Sequence, residues 1–364
     1  MKRLTLALVF GGRSPEHEVS LVSARGIFER LDRARFDVLL VGVERNGRPR
    51  FGDEKLLDGG LDSGAGMPVR WPTHPDDRRL VEDGGGQPVS PPLDVVFPII
   101  HGAGGEDGAL QGVLSLAGVP CVGAGVLASA LAMDKDRARR VLAVEGLPVV
   151  RDVVVEGPVL DDPAQIAGRA ATLGWPVFVK PARAGSSVGV ARVERADDLP
   201  AALADARRFD SKVVIEEAIP EAREIEVAVL GNLAPAASVP GEIVPRRSFY
   251  DYIAKYEDPE SKLLVPAPLP DETTQRIREL AVRAFRALDC LGMARVDFLL
   301  SRRDQRLVVN ELNTLPGFTP ISMYPRLWEA TGLPYPALLT RLVELALEAQ
   351  QFGPLGSPSA TIRR

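Results

Sequence analysis

Three apolar runs, at residues 4–10, 38–43 and 93–100, mark the first third of the chain as strands buried inside a sheet. The first run ends in Gly11-Gly12, a tight turn, and Ser14-Pro15 then offers an N-cap and a first-turn proline. Leu21, Ala24, Phe28 and Leu31 follow at helical spacing, so a strand–helix–strand unit is expected. The run at 93–100 ends at His101-Gly102, and residues 109–117 have a helical pattern. Together these predict an open, Rossmann-like α/β domain over residues 1–125, whose ligands gather at the carboxyl ends of its strands. Residues 58–92, rich in Gly, Pro and Asp, predict a poorly ordered insertion or surface loop.

From about residue 126 the pattern changes. A helix carrying Met133-Asp134-Lys135 leads into short strands at 177–180 and 188–193, with a Gly- and Ser-bearing loop between them. This makes a central unit over 126–215. A strand at 213–217 is expected to open a third unit, 216–350, rich in short strands, with a turn at Asn232. A hairpin of 292–300 with 306–312 turns around Arg302-Arg303-Asp304, and helices at 271–289 and 335–349 cover the sheet. Residues 351–364 predict a frayed tail. No internal repeat is found.

Composition narrows the class. A chain of 364 residues, 45% hydrophobic and 26% charged, is that of an ordinary globular protein of two or three domains. Its 44 basic and 49 acidic residues leave a net charge of −5, with no basic footprint for nucleic acid and no polybasic membrane anchor. Phosphate chemistry on such a chain requires local concentrations of Lys and Arg. Cys121 and Cys290 stand far apart among apolar neighbours, and there are three histidines. Neither a disulfide framework nor a zinc site is expected. The run at 4–10 is too short for a signal-peptide core, and no apolar stretch reaches the ~20 residues of a membrane helix. A soluble, cytoplasmic protein is expected.

Several segments carry candidate chemistry. The loop from Ala182 to Gly189 lets backbone N–H groups approach a phosphate, and Lys180 ends the apolar strand ahead of it. It is not a Walker loop, because no Gly-Lys-Ser/Thr closes it, and a flexible hairpin loop is the plain alternative. Lys135 by itself reads as a surface lysine. The strand end at Glu216-Glu217-Ala218-Ile219 either offers backbone groups to an adenine edge or is simply solvated. In the hairpin, Arg295 and Asp297 share one strand face, and Glu311 and Asn313 share one face of the next strand. Paired, they converge two carboxylates and an amide oxygen on a site suited to Mg²⁺; ordinary cross-strand salt bridges are the alternative. The turn Thr314 to Ser322 precedes a helix and either places an N–H and a hydroxyl near that site or is a plain proline-glycine loop.

Six segments, in order, closely resemble the D-alanine–D-alanine ligases, a family of the ATP-grasp fold. They are Gly11 to Ser20 (GGRSPEHEVS), His101-Gly102, Met133-Asp134-Lys135, Gly185 to Gly189 (GSSVG), Tyr250 to Tyr256 (YDYIAKY) and Asn310 to Gly317 (NELNTLPG). The resemblance runs from about residue 4 to 345. It implies an ATP-grasp fold preceded by the Rossmann-like domain, and an enzyme joining two D-alanines through a D-alanyl phosphate for peptidoglycan precursor synthesis.

Position by position, the resemblance implies that Lys135 and Lys180 hold ATP phosphates beneath the 182–189 loop with Ser187. Glu216, Glu217 and the backbone near Ile219 would meet adenine, and Glu224 the ribose. Asp297, Glu311 and Asn313 would ligate two Mg²⁺ ions, with Mn²⁺ an alternative. Glu16, Ser186 and Tyr256 match a hydrogen-bonded trio beside the first D-alanine, with His101 close by. Arg295 and the Gly317 N–H would form an oxyanion site, and Lys255 and Ser322 would receive the carboxylate of the second D-alanine. Residues 246–264 would form a lid. The partners implied are D-alanine and ATP, and the assembly a homodimer. Relatives that make D-alanyl-D-lactate tend to carry Phe or His at the position of Tyr256, so tyrosine favours the dipeptide. Ligases making D-alanyl-D-lactate or D-alanyl-D-serine are the nearest alternatives; a nucleotide-binding module without catalysis would lack Arg295 or the metal ligands.

Overall fold

The computed structural model describes residues 2–157, 163–186, 188–244 and 262–350. The first unit is a six-stranded sheet of β1 (Leu4–Gly11), β2 (Phe36–Val43), β3 (Pro49–Gly52), β4 (Met67–Arg70), β5 (Val81–Glu82) and β6 (Val95–Pro98), ordered β5-β4-β3-β2-β1-β6. The central strand β1 runs parallel to β2 and β6, as its continuous apolar character predicts, and Leu6 to Phe10 are fully buried.

Two expectations change here. The helix after β1 spans His17–Arg30, not from Pro15, and its N-cap residue Glu16 makes no capping bond. The Glu16 carboxylate is turned away toward Ser186, so it cannot satisfy the helix end. Residues 58–92 are also more ordered than their composition predicts: β4 and β5 extend the sheet, and Leu61, Val69 and Leu80 are buried. Strands of four and two residues are too short to give an alternating signal among so many Gly, Pro and Asp.

Helices Val126–Met133 and Lys135–Val144 follow, with Asp134 capping the second through Arg137 N (3.1 Å). Met133-Asp134-Lys135 is therefore a junction between helices and not the inside of one. The four-stranded sheet of β7 (Asp152–Glu156), β8 (Val177–Pro181), β9 (Ala191–Val193) and β10 (Lys212–Glu217) is antiparallel throughout, ordered β7-β10-β8-β9. The strand expected to open the third unit is thus β10, paired on both sides inside this sheet. All six of its residues are buried, because a central strand packs on both faces.

The third sheet contains β11 (Ala222–Gly231), β12 (Ala236–Ala237), β13 (Gly241–Val244), β14 (Lys262–Leu264), β15 (Gly292–Ser301) and β16 (Leu307–Asn313). Its order is β14-β13-β11-β15-β16, with β12 on β11. At the expected turn, Asn232 Oδ1 accepts from Gly292 N (3.0 Å) and Nδ2 donates to Leu345 O (3.0 Å). The helices expected near 271–289 and 335–349 are Asp271–Ala287 and Tyr335–Ala349. The latter packs Leu338, Leu339 and Leu342 into the same core as Leu8, Phe10 and Phe97 of the first sheet, together with Leu315 and Phe318. First and third units therefore share one apolar core, which fixes the loops that meet above it. Among the described residues no helix is long and apolar enough to cross a membrane.

Candidate active site

The site grows from the β15–β16 hairpin. Arg295 stands opposite Asn313 and Asp297 opposite Glu311, while Val296 and Leu312 point into the core, so the four polar side chains share one face. A register shift follows Asp297, leaving Asn310 as the extra residue of a bulge. On the other side Glu226 of β11 pairs with Asp297. Three carboxylates, Glu226, Asp297 and Glu311, thus lie in one row across three strands.

Arg295 answers that charge. Its Nε and Nη2 donate to Asp297 Oδ1 and Oδ2, both at 2.7 Å, and its Nε lies 3.2 Å from Glu226. Burial works against the cation, but Asp297 and Glu226 raise its pKa well above the usual arginine value. Ion pairs run along β15 to Asp297 and across to Glu226 of β11, yet they do not exhaust the site. Asn313 Oδ1 is buried and has no hydrogen-bond partner among the described residues. An orphaned amide oxygen beside paired carboxylates is a donor set for a hard divalent cation, so the residues fit Mg²⁺.

Above the hairpin lies a cavity of about 410 Å³. It gathers Glu16, His101, Lys135 and Ser186 on one side and Arg295, Glu311, Asn313, Gly317 and Ser322 on the other. Glu16 comes from the start of the first helix and Ser186 from the β8–β9 loop, 170 residues on, and the Ser186 hydroxyl donates to Glu16 Oε1. Ser186 holds a left-handed φ of 48°, a conformation costly for a non-glycine residue. Lys135 Nζ donates to Ala184 O (2.7 Å) at the base of that loop. His101 Nδ1 donates to Leu315 O (3.1 Å), leaving Nε2 buried without a partner among the described residues, and burial, outweighing the Glu16 charge, lowers its pKa and keeps the imidazole neutral. The Gly317 N–H makes no hydrogen bond among the described residues, and a side chain at Gly317 would collide with Ser322 Oγ at 2.7 Å. Ser322 Oγ instead pairs with Thr319 Oγ1 (2.7 Å).

The other expected residues lie off this cavity. Lys180 Nζ and Glu216 Oε2 are 2.6 Å apart, and Glu216 also accepts from Arg139 (2.6 Å), which reaches Asp152 (2.7 Å). Burial alone would raise the Glu216 carboxyl, but the Arg139 and Lys180 cations hold it down at about 2. Glu217 points to the opposite face of β10, where Arg151 and Arg306 grip its carboxylate. Its side chain is committed to those ion pairs, which leaves only its backbone for a nucleotide. Ile219 is buried with Val150 and Val308, and Glu224 lies half-buried on β11, on the same face as Glu226. Ser187, Lys255, Tyr256 and nearly all of the lid at 246–264 lie outside the described residues.

Three residues went unread in the sequence. Glu106 lines the cavity, and burial together with the Glu16 charge pushes its carboxyl up to about 8. Its signal was an acidic residue in the glycine-rich loop after His101. Glu226 could have been found from strand alternation once β11 was assigned. Nothing local marks Arg139, whose burial depends on the sheet it packs against.

Comparison with known proteins agrees with this geometry. A family model described as the N-terminus of D-ala D-ala ligase matches residues 5–124, and one described as its C-terminus matches residues 141–344. The chain is 47% identical to the D-alanine--D-alanine ligase of Thermoanaerobacter sp. (strain X514), covering 96% of this chain and 98% of that one. It is 48% identical to the D-alanine--D-alanine ligase of Mycobacterium tuberculosis (strain CDC 1551 / Oshkosh), over 95% of this chain and 96% of the relative. The solved D-alanine-D-alanine ligase from Coxiella burnetii superposes with a TM-score of 0.85 at 36% identity, covering 97% of this chain and 96% of its own. The VanG D-Ala:D-Ser ligase from Enterococcus faecalis also gives 0.85 at 36%, covering 95% and 100%.

Fold and site together define an ATP-grasp ligase. More narrowly, the chain belongs to the D-alanine–D-alanine ligase family.

Proposed function

We propose that this chain uses ATP to join two D-alanines into D-alanyl-D-alanine, releasing ADP and phosphate, as a cytoplasmic homodimeric step in peptidoglycan precursor synthesis. The observation that carries the reading is the convergence, in one cavity, of the Glu16–Ser186 pair, the Arg295 guanidinium and Gly317, whose N–H makes no hydrogen bond among the described residues.

A carboxylate is a poor electrophile, so the γ-phosphoryl group of ATP is first transferred to the first D-alanine, giving an acyl phosphate. Lys135 and Lys180 offset the charge that spreads over the transferring group, and the 182–189 loop excludes water that would hydrolyse the product. Asp297, Glu311 and Asn313 would hold Mg²⁺, two ions with Mn²⁺ able to substitute, whose chemistry when bound is to neutralise phosphate charge. Glu16, bonded to Ser186 and forming with Tyr256 the trio that the resemblance implies, lies beside the first D-alanine. The amine of the second D-alanine, its carboxylate on Lys255 and Ser322, then attacks the acyl carbon. Arg295 and the Gly317 N–H stabilise the oxyanion, each donor contributing on the order of 3 kcal/mol. Glu216 and the Ile219 backbone meet the adenine, and Glu224 the ribose.

The likeness to a D-Ala:D-Ser ligase supports a second reading, in which the second substrate is not D-alanine. One assay separates them: ADP release with ATP, Mg²⁺ and D-alanine alone, with L-alanine as control, then with D-serine or D-lactate added. Full turnover on D-alanine alone is expected. Turnover that requires D-serine or D-lactate would overturn the dipeptide reading.

A further inference from the structure

The residues on either side of Lys135 are held by one buried cation. Lys212, 4% exposed at the start of β10, donates from Nζ to Asp134 Oδ2 (2.8 Å) and to Asp136 Oδ2 (3.1 Å). Asp134 caps the Lys135–Val144 helix with its other oxygen, and the buried Asp136 also accepts from Arg140.

The same residue holds the start of the 182–189 loop. Its carbonyl accepts from Ala182 N (2.9 Å), and its N–H donates to Asp210 Oδ1 (3.0 Å). Asp210 Oδ2 in turn accepts from Arg183 N (2.8 Å). Lys135 closes the figure, its N–H donating to Ala182 O (3.0 Å) and its Nζ to Ala184 O (2.7 Å). Lys212 and Glu216 share one face of β10, and the helix binds that face twice, through Asp134 and Asp136 at Lys212 and through Arg139 at Glu216.

Charge gives the first of these contacts a consequence for the site. Lys135 is the first residue of its helix, where the backbone dipole disfavours a cation, and it stands between two aspartates in sequence. Those carboxylates compete with a phosphate for its ammonium unless another cation meets them. With Lys212 on both, the Lys135 ammonium reaches Ala184 O at the wall of the cavity. Lys212 does not itself line the cavity, so whatever it does there it does through Lys135.

We propose that Lys212 is a positioning residue for nucleotide binding: by gripping Asp134 and Asp136 it keeps the Lys135 ammonium turned toward the cavity, where the phosphates of ATP bind. The proposal rests on the reading of Lys135 as a phosphate lysine.

The test is a double-mutant cycle on the full-length chain, comparing wild type, Lys212→Met, Lys135→Ala and the two together. The readouts are affinity for a non-hydrolysable ATP analogue by calorimetry, and KM for ATP and for D-alanine from ADP release. Lys212→Met is expected to weaken analogue binding and raise KM for ATP about tenfold, with KM for D-alanine within about twofold of wild type. In the Lys135→Ala chain the same substitution should change analogue affinity less than about twofold, because the group it positions is gone. Lys212→Arg keeps a cation on both carboxylates and should stay within about threefold of wild type. Lys212→Gln, uncharged and shorter, should match the methionine variant and stands in for it if that variant does not fold. The proposal is overturned if a folded Met or Gln variant binds the analogue as wild type does, or if Arg falls as far as they do. It is also overturned if the loss is as large in the Lys135→Ala background, or if KM for D-alanine rises in step. A Lys135→Ala chain with wild-type affinity for the analogue would overturn the reading of Lys135 as a phosphate lysine, and this proposal with it.

Discussion

Asp297 and Glu311 face each other in register across β15 and β16, with a bulge immediately beyond Asp297 and Arg295 clamped on its carboxylate. Two acidic side chains in register, beside an Asn313 Oδ1 that has no hydrogen-bond partner among the described residues, form a donor set for a divalent cation. Glu311→Gln is therefore expected to lower turnover at least about 100-fold, because the lost ligand carries charge as well as geometry. ADP release at saturating Mg²⁺ measures it, and unaltered activity would remove Glu311 from the metal site. Chelation of divalent ions should likewise abolish turnover of the wild type, with recovery on adding Mg²⁺ or Mn²⁺.

Arg295 joins the acidic row to the cavity. Arg295→Ala is expected to lower kcat by about 10²–10³, the usual effect of removing an oxyanion donor, while ATP still binds. Calorimetric titration with a non-hydrolysable ATP analogue checks the second half. Loss of nucleotide binding together with turnover would show that Arg295 organises the sheet and takes no part in the chemistry.

The quartet of buried Arg139 and Glu216 with half-buried Asp152 and Lys180 predicts acid sensitivity. Glu216 sits at about 2 in the folded chain against 4.5 ordinarily, so the unfolded chain binds the proton more readily. The stability this contributes is fully present above about pH 4.5 and is lost as pH falls toward 2. Arg139→Met leaves the carboxylate with one cation fewer in a dry site, and should cost about 3–5 kcal/mol at neutral pH. Urea unfolding of both proteins between pH 7 and 3 would show it; coincident midpoints at every pH contradict the account.

Tyr256 bears on the choice of second substrate. From the family resemblance, Tyr256→Phe should raise the share of D-alanyl-D-lactate when D-alanine and D-lactate compete. Product ratios by mass spectrometry decide it, and unchanged ratios would sink the link between this tyrosine and dipeptide selectivity.

Much of the architecture is legible in local pattern. Continuous apolar runs mark the parallel strands β1, β2 and β6, and alternation marks the β15–β16 hairpin, because side-chain direction follows directly from strand periodicity. From that hairpin alone Arg295, Asp297, Glu311 and Asn313 could be put on one face. Short elements escape this logic: β4 and β5 are hidden among glycines and prolines, and β10 reads as the start of a new unit although both its neighbours lie in the four-stranded sheet.

What the sequence determined by itself is therefore the set of elements and the chemistry each carries, since both depend on neighbours within a few residues. Only the tertiary structure decided which charges meet. It put Glu16 on Ser186, closed Lys180 onto Glu216 beside Arg139, bound Glu217 into structural ion pairs, and set His101 on the Leu315 carbonyl. Those pairings join residues tens to hundreds of positions apart, and burial and Coulomb energy, which select them, exist only once the core shared by the first and third units has closed.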